Sequence, residues 1–305
     1  MNTVLVTGAN GFVGSHLVQD LAENGYRVVG VGGKDGIQER SSHISQHLVL
    51  DLTQASEGKS LDFKRIDYVV HLAGLAAVGN SFNEPMKYIQ TNMVIELNLF
   101  EVALSQNCFP RFLIISSGSL YDPIDPLPLS ENSKILPTSP YAVSKIGQEE
   151  LSRYYMSRGF ECIIARPFNH IGPGQGPGFI VPDLARQIME AKRHDKKDIA
   201  VGNLNTKRDY TDVRDIVRAY RLLLEKGKPG EIYNVCSGRT YSGKQLLSGL
   251  AQAAGVKVRP IPDPLKDRPV DHPVIYGDYI KLHQATGWKP EISLKQTLAD
   301  VIGSL

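Results

Sequence analysis

Cysteine is scarce in this 305-residue chain. Cys108, Cys162 and Cys236 are odd in number and scattered, which excludes a disulfide framework and matches no metal-ligand spacing. Reduced core thiols in a cytoplasmic protein are expected. An excess of one charge is also missing, since 34 Lys+Arg against 32 Asp+Glu leave a formal net charge of +2. The densest basic tract, KRHDKK at 192–197, reads as a solvated helix end, so neither nucleic acid nor a membrane surface is expected as partner. No apolar run approaches a membrane span, and the opening NTVLVTG lacks the basic region and apolar core of a signal peptide. Repeats and low-complexity linkers are absent. What is there, 42% hydrophobic and 22% charged residues, is the composition of an ordinary globular protein.

The first two-thirds alternate short apolar runs with helical stretches. TVLVTG (3–8), RVVGVG (27–32), LVLDL (48–52), YVVHLAG (68–74), RFLIISS (111–117) and ECIIARP (161–167) read as strands buried on both faces. Helical periodicity runs over 13–25, 85–106 and 140–158 between them. This alternation predicts an α/β fold with a doubly wound, Rossmann-type parallel sheet over residues 1–168. From residue 169 to 305 Gly and Pro become dense, and a smaller C-terminal α/β lobe is expected, with segments such as EIYNVC (231–236) able to return to the first sheet.

TGANGFVG places Gly8, Gly11 and Gly14 at the turn from first strand to first helix, with Phe12 and Val13 between them. Glycine there lets the backbone turn tightly and approach a pyrophosphate, which the helix N-terminus favours. The acidic residue that often ends the second strand and holds an adenosine ribose is missing, since Gly32 stands in its place and Lys34 follows. Without that carboxylate a 2′-phosphate is not repelled, and Lys34 can pair with one. NADP(H) is favoured and NAD(H) is possible. Asp51 and Leu52, ending the third strand, either border the adenine or form a polar strand terminus.

SPYAVSK at 139–145 sets Tyr141 and Lys145 one turn apart on one face of a helix that Pro140 should start, with Ser139 or Thr138 as its cap. A free tyrosine titrates near about 10, and a neighbouring ammonium is expected to lower that value. Such a tyrosine can exchange a proton with an alcohol or carbonyl oxygen while a nicotinamide exchanges hydride at the carbon.

TGANGFVGSHL, DL at 51–52, HLAG at 71–74, TNMVIELNLFEVA at 91–103, ISSGSLY at 115–121, YAVSK and RPFNHIGPGQ at 166–175 together resemble the extended short-chain dehydrogenase/reductase family over essentially the whole chain. That resemblance implies a catalytic set of Ser117, Tyr141 and Lys145, with Lys145 also holding the nicotinamide ribose and Ser117 bonding the reacting oxygen. It also implies that Leu72 and Ala73 border the cofactor. In the second half, KRDYTDVRDIVRAY (207–220), YNVCSG (233–238) and DRP (267–269) resemble the part that holds nucleotide-sugars. By that likeness Asn169 touches the sugar-diphosphate, and Arg208 and Arg268 pair with phosphate oxygens. Each arginine also has acidic neighbours, Asp209 and Asp212 for Arg208, Asp267 and Asp271 for Arg268. Val181 would line the base pocket or simply pack the core. A homodimer is implied through the helix of Tyr141.

Missing residues narrow the reaction. Ser117-Gly118-Ser119 stand where family dehydratases carry a carboxylate, and Asp122 sits on a turn-rich stretch beyond it. The cysteine and histidine of the epimerase-reductases would fall at Ser119 and Gly174. Simple reduction of a C4 ketone remains, with 4-epimerisation of a UDP-sugar as the alternative. A catalytically inactive nucleotide sensor is disfavoured because Ser117, Tyr141 and Lys145 are all present. The phrase RPFNHIGPGQGPGFIVPDLARQI (166–188) resembles members that reduce GDP-4-dehydro-6-deoxy-D-mannose to GDP-D-rhamnose.

Overall fold

The structure, a computed structural model, describes residues 1–33, 42–266 and 272–305. Its first part runs β1 (Thr3–Thr7), α1 (Phe12–Glu23), β2 (Arg27–Gly32), β3 (Gln46–Val49), α2 (Ala55–Gly58), β4 (Tyr68–His71), α3 (Val78–Ser81), α4 (Pro85–Ser105), β5 (Arg111–Ile115), α5 (Pro140–Met156) and β6 (Glu161–Pro167). The chain continues through β7 (Asn169–Ile171), α6 (Ile180–Arg193), β8 (Asp198–Val201), β9 (Lys207–Asp212), α7 (Val213–Lys226) and β10 (Ile232–Val235). It ends with β11 (Thr240–Ser242), α8 (Gly243–Ala254), β12 (Arg259–Pro262), β13 (Val274–Ile275), α9 (Ile280–Thr286) and α10 (Leu294–Gly303).

Seven strands form one parallel sheet in the order β10-β6-β5-β4-β1-β2-β3. Alternate residues of each strand face opposite sides, which is why the strands read as continuous apolar runs. Val4, Val6 and Val70 meet Leu17 and Leu21 of α1 and Ile216, Tyr220 and Leu223 of α7 on one side. Leu5, Val69 and Phe112 meet Ile95, Leu99 and Phe100 of α4 and Tyr155 of α5 on the other. The strand order reverses between β1 and β4, so the carboxyl ends of those strands open the crevice where ligands of such sheets bind.

The third strand lies at 46–49, two residues ahead of the LVLDL run, because Asp51 already turns the chain. α7 and β10, although C-terminal in sequence, complete the first sheet and its outer layer. α9 also joins the first core through Leu282, while the other C-terminal elements bury a separate core between α6, α8 and α10 and carry a small sheet in which β9 pairs with β7, β11 and β13. A loop from Tyr121 to Leu136 spans the two parts: Leu129 donates its N–H to the Tyr276 carbonyl (3.0 Å) and accepts one from Asp278 (2.8 Å). Trp288, fully buried, donates its indole N–H to the Asp215 carbonyl at 2.9 Å, a packing role.

Candidate active site

The chain leaves β1 at Gly8 with φ +70°, a left-handed turn that glycine adopts at little cost. Space is equally restrictive: a Cβ on Gly8 would lie 2.9 Å from the Ala73 nitrogen, and one on Gly14 only 2.1 Å from the Gly8 carbonyl oxygen. α1 then starts at Phe12 without a side-chain cap or an acidic residue in its first turn. An uncapped helix start with no acid in its first turn fits a dinucleotide pyrophosphate. Val13 is half-buried beside Phe12, whose ring stacks on His170 at 6.1 Å. Ala73 donates its N–H to Thr7 Oγ1 at 3.1 Å, and Leu72 packs on the first core, so both border the glycine turn.

At the end of β2, a Cβ on Gly32 would fall 2.5 Å from Asn10 Nδ2. Asn10 fills the place where a ribose-binding acid would stand, and its Oδ1 lies 3.1 Å from His47 Nε2. Asp51 is exposed and uses Oδ1 to accept hydrogen bonds from Thr53 N (3.0 Å) and Oγ1 (2.6 Å), while Leu52 is buried. Lys34 and Arg268 lie outside the described residues.

β5 ends at Ile115, and Ser117 caps the short turn that follows, its Oγ accepting from Ser119 N at 3.1 Å. Ser139 caps α5 by accepting from Ala142 N at 3.1 Å, with Pro140 in the first turn as expected. These two ends bring Ser117, Tyr141 and Lys145 together. The Ser117 hydroxyl acts on the Tyr141 phenol across the site, and Lys145 Nζ donates to the Ile115 carbonyl at 2.8 Å. Tyr141 and Lys145 are only 8% and 9% exposed.

The electrostatics differ from the expectation that Lys145 lowers Tyr141. Burial pushes the Tyr141 phenol up to about 12, with the Ser117 hydroxyl opposing. Burial also lowers Lys145 to about 8, against the pull of the Glu96 and Glu149 carboxyls. The Lys145 ammonium is 5.8 Å from the phenol ring centroid and directed at a backbone carbonyl, so desolvation wins. The site holds a protonated phenol.

Behind it lies a buried network with no counterpart in the sequence analysis. Glu149 Oε1 accepts from Ser116 Oγ (2.6 Å) and Arg166 Nε (2.8 Å), and Oε2 accepts from Arg166 Nη2 (2.6 Å). Arg166 Nη1 donates to the Tyr121 hydroxyl (3.0 Å), which donates to Asn234 Oδ1 (2.7 Å). The signal was a charged residue inside the apolar strand ECIIARP, which must find a buried partner.

Asn169 is exposed on β7 and registers against Tyr210 of β9. Arg208, on β9, donates Nη1 to the carbonyls of Lys207 (2.8 Å) and His272 (2.7 Å). The acids next to it are held elsewhere, Asp209 by Ser237 and Gly238, Asp212 by Arg214 and Thr297. Val181 is completely buried at the start of α6, so its side chain packs the C-terminal core rather than lining an open pocket. Asp122 pairs with Lys134 at 3.0 Å and accepts from Ile124 N, as a turn former does.

Comparison with known proteins gives this arrangement relatives. The family model described as GDP-mannose 4,6 dehydratase matches residues 5–301. The GDP-6-deoxy-D-mannose reductase of Pseudomonas aeruginosa is 35% identical, over 98% of this chain and 95% of its own length. The solved structure of RMD from Pseudomonas aeruginosa complexed with NADPH superposes with a TM-score of 0.88 at 34% identity, covering 100% of this chain and 98% of that one. The UDP-glucose 4-epimerase of Thermotoga maritima, solved with UDP-glucose, has a TM-score of 0.87 at 28% identity, covering 99% and 98%. The glycine turn, the Ser-Tyr-Lys cluster and a family match along nearly the full length agree: the chain belongs to the GDP-mannose 4,6 dehydratase family of extended short-chain dehydrogenases/reductases.

Proposed function

We propose that this protein is an NAD(P)H-dependent reductase of the C4 ketone of a nucleotide-linked 4-keto-6-deoxy sugar, converting GDP-4-dehydro-6-deoxy-D-mannose to GDP-D-rhamnose. The observation that carries the reading is a buried Tyr141 and Lys145 brought together with Ser117, with no carboxylate at positions 118–119. A phenol so placed donates a proton, and elimination of water would need an acid–base pair that these positions do not supply. Full-length similarity to the Pseudomonas aeruginosa reductase supports the choice of substrate.

The bound dinucleotide supplies hydride to C4 of the sugar. Tyr141 gives its proton to the oxygen as negative charge develops there, and Ser117 Oγ holds that oxygen. Lys145 holds the nicotinamide ribose and keeps positive charge beside the phenol. Gly8, Gly11, Phe12, Val13 and Gly14 cradle the pyrophosphate. NADPH is favoured because no carboxylate ends β2 to repel a 2′-phosphate, and NADH remains usable. Asn169, Arg208 and Arg268 would hold the sugar diphosphate, in keeping with their matched motifs and with guanidinium geometry.

Exposed Leu97 on α4 and Val143 and Tyr154 on α5 support a homodimer formed through this helix pair. No helix among the described residues is long and apolar enough to cross a membrane. Three free cysteines are consistent with a cytoplasmic location.

Oxidation of NADPH or NADH, followed by absorbance with GDP-4-keto-6-deoxymannose generated in situ, tests the reading. Rapid oxidation abolished in Tyr141→Phe supports it. The likeness to the Thermotoga maritima enzyme favours one alternative, 4-epimerisation of a UDP-sugar. Turnover of UDP-galactose without net cofactor change, and no oxidation with the GDP-sugar, would establish that alternative.

A further inference from the structure

ISSGSLY places two serines in succession just past the end of β5, and only the second stands in the proposed catalytic set. Ser117 continues in extended backbone at φ −160° and ψ 144°, where successive side chains point to opposite sides. Ser117 is partly exposed, whereas Ser116 is buried and turned inward. Its N–H donates to the Ala165 carbonyl at 2.8 Å, and its Oγ donates to Glu149 Oε1 at 2.6 Å. Glu149 stands one turn beyond Lys145 on α5 and is itself buried.

The groups that would act on the ketone thus come from two carriers, Ser117 from the end of β5, Tyr141 and Lys145 from α5. At its far end α5 is held to the sheet by apolar packing, with Tyr155 in one core with Phe112 of β5. Such packing is non-directional and fixes no register. A hydrogen bond does fix one. Lys145 Nζ donates to the Ile115 carbonyl at 2.8 Å, but the reductase reading also gives that ammonium to the nicotinamide ribose. Ser116 and Glu149 have no such second duty, so nothing in a turnover calls on their bond.

β6 secures both partners. Ala165 receives the Ser116 N–H, and the next residue, Arg166, grips Glu149 through Nε on Oε1 (2.8 Å) and Nη2 on Oε2 (2.6 Å). A carboxylate held by a two-bond fork cannot rotate away, so Oε1 stays aimed at Ser116. Resting on the reductase reading, we propose that Ser116 and Glu149 are positioning residues, whose hydrogen bond locks the carrier of Ser117 to the carrier of Tyr141 and Lys145. Proton delivery needs Ser117 and Tyr141 at one substrate oxygen, and a misplacement of about 1 Å costs about 10²-fold in rate. The bond keeps that alignment without touching substrate or cofactor.

Two measurements on the full chain test this. Ser116→Ala removes the tie and leaves Glu149 both bonds to Arg166, so the protein should still fold. With the GDP-keto sugar its kcat should fall about tenfold or more, while the Kd for NADPH, read by nicotinamide fluorescence, stays within about twofold of wild type. Tyr121→Phe cuts the same network beyond Arg166, whose Nη1 donates to the Tyr121 hydroxyl at 3.0 Å. It should lower the urea midpoint at least as much as Ser116→Ala, yet leave kcat near wild type. An unchanged kcat in Ser116→Ala, or an equal fall in both variants, would reduce the pair to packing. Hydrogen exchange of the cofactor-free protein needs no reaction. Amides at 117–120 and 143–149 should exchange faster in Ser116→Ala than in wild type, and unchanged exchange overturns the proposal. If wild type fails to reduce the GDP-keto sugar, the reductase reading falls, and the exchange measurement still decides whether Ser116 ties α5 to β5.

Discussion

A proton donor serves best when it stays protonated until the substrate oxygen needs it, and burial does this to Tyr141. Removing the hydroxyl in Tyr141→Phe should cut kcat by about 10²–10⁴-fold, with the far-UV circular dichroism unchanged. Gly32 governs a different choice. An acid there would pair with an adenosine ribose and repel a 2′-phosphate, and it must displace only the end of the Asn10 side chain. Gly32→Asp should therefore raise KM for NADPH by about tenfold or more while sparing NADH, the size of one charge–charge contact near a surface. Glu96 makes stability depend on pH. Its folded value lies above its unfolded one, so its contribution is full below about 4.5 and is lost as pH rises to about 8. Relative to wild type, Glu96→Gln should gain stability between pH 5 and pH 8, measured by urea midpoints at the two values.

Within elements, the sequence was most readable where local chemistry and tertiary role coincide. The parallel strands announced themselves because helices cover both faces, and α5 announced its start because Ser139 and Pro140 do there what such residues do in isolation. Glu96 and Glu149 were not singled out, since an acid on an amphipathic helix reads as solvated, although both fall on the face occupied by Asn92 and Leu99 or by Tyr141 and Lys145. The role of α7 was equally hidden, because helical periodicity states that a face is buried and not which sheet buries it. Val181, for which a base pocket and plain core packing were both open, packs in the C-terminal core. The Glu149–Arg166 pair makes its own prediction. Arg166→Met leaves the buried Glu149 carboxylate of α5 with only the distant Arg153 guanidinium at 3.9 Å for counter-charge and should cost about 3–5 kcal/mol in guanidinium unfolding. The double change with Glu149→Leu should recover much of that loss.

At the scale of the whole molecule, the chain crosses the boundary expected near residue 168 and returns to the first sheet. α7 lies against α1, and β10 forms the edge of the first sheet beside β6. A fragment of residues 1–168 should accordingly fail to unfold cooperatively and should bind a hydrophobic dye, because the face that α7 covers is left open. Intact protein should give one transition under the same conditions. The place of β10 also bears on how the chain is made. β6 leaves the ribosome with one edge unpaired, and its neighbour follows roughly 65 residues later. At typical synthesis rates that interval is about 3–13 s, during which an apolar strand presents open hydrogen-bonding groups to every other nascent chain nearby. Translation speed through residues 168–235 therefore sets how long the newborn protein is exposed to aggregation.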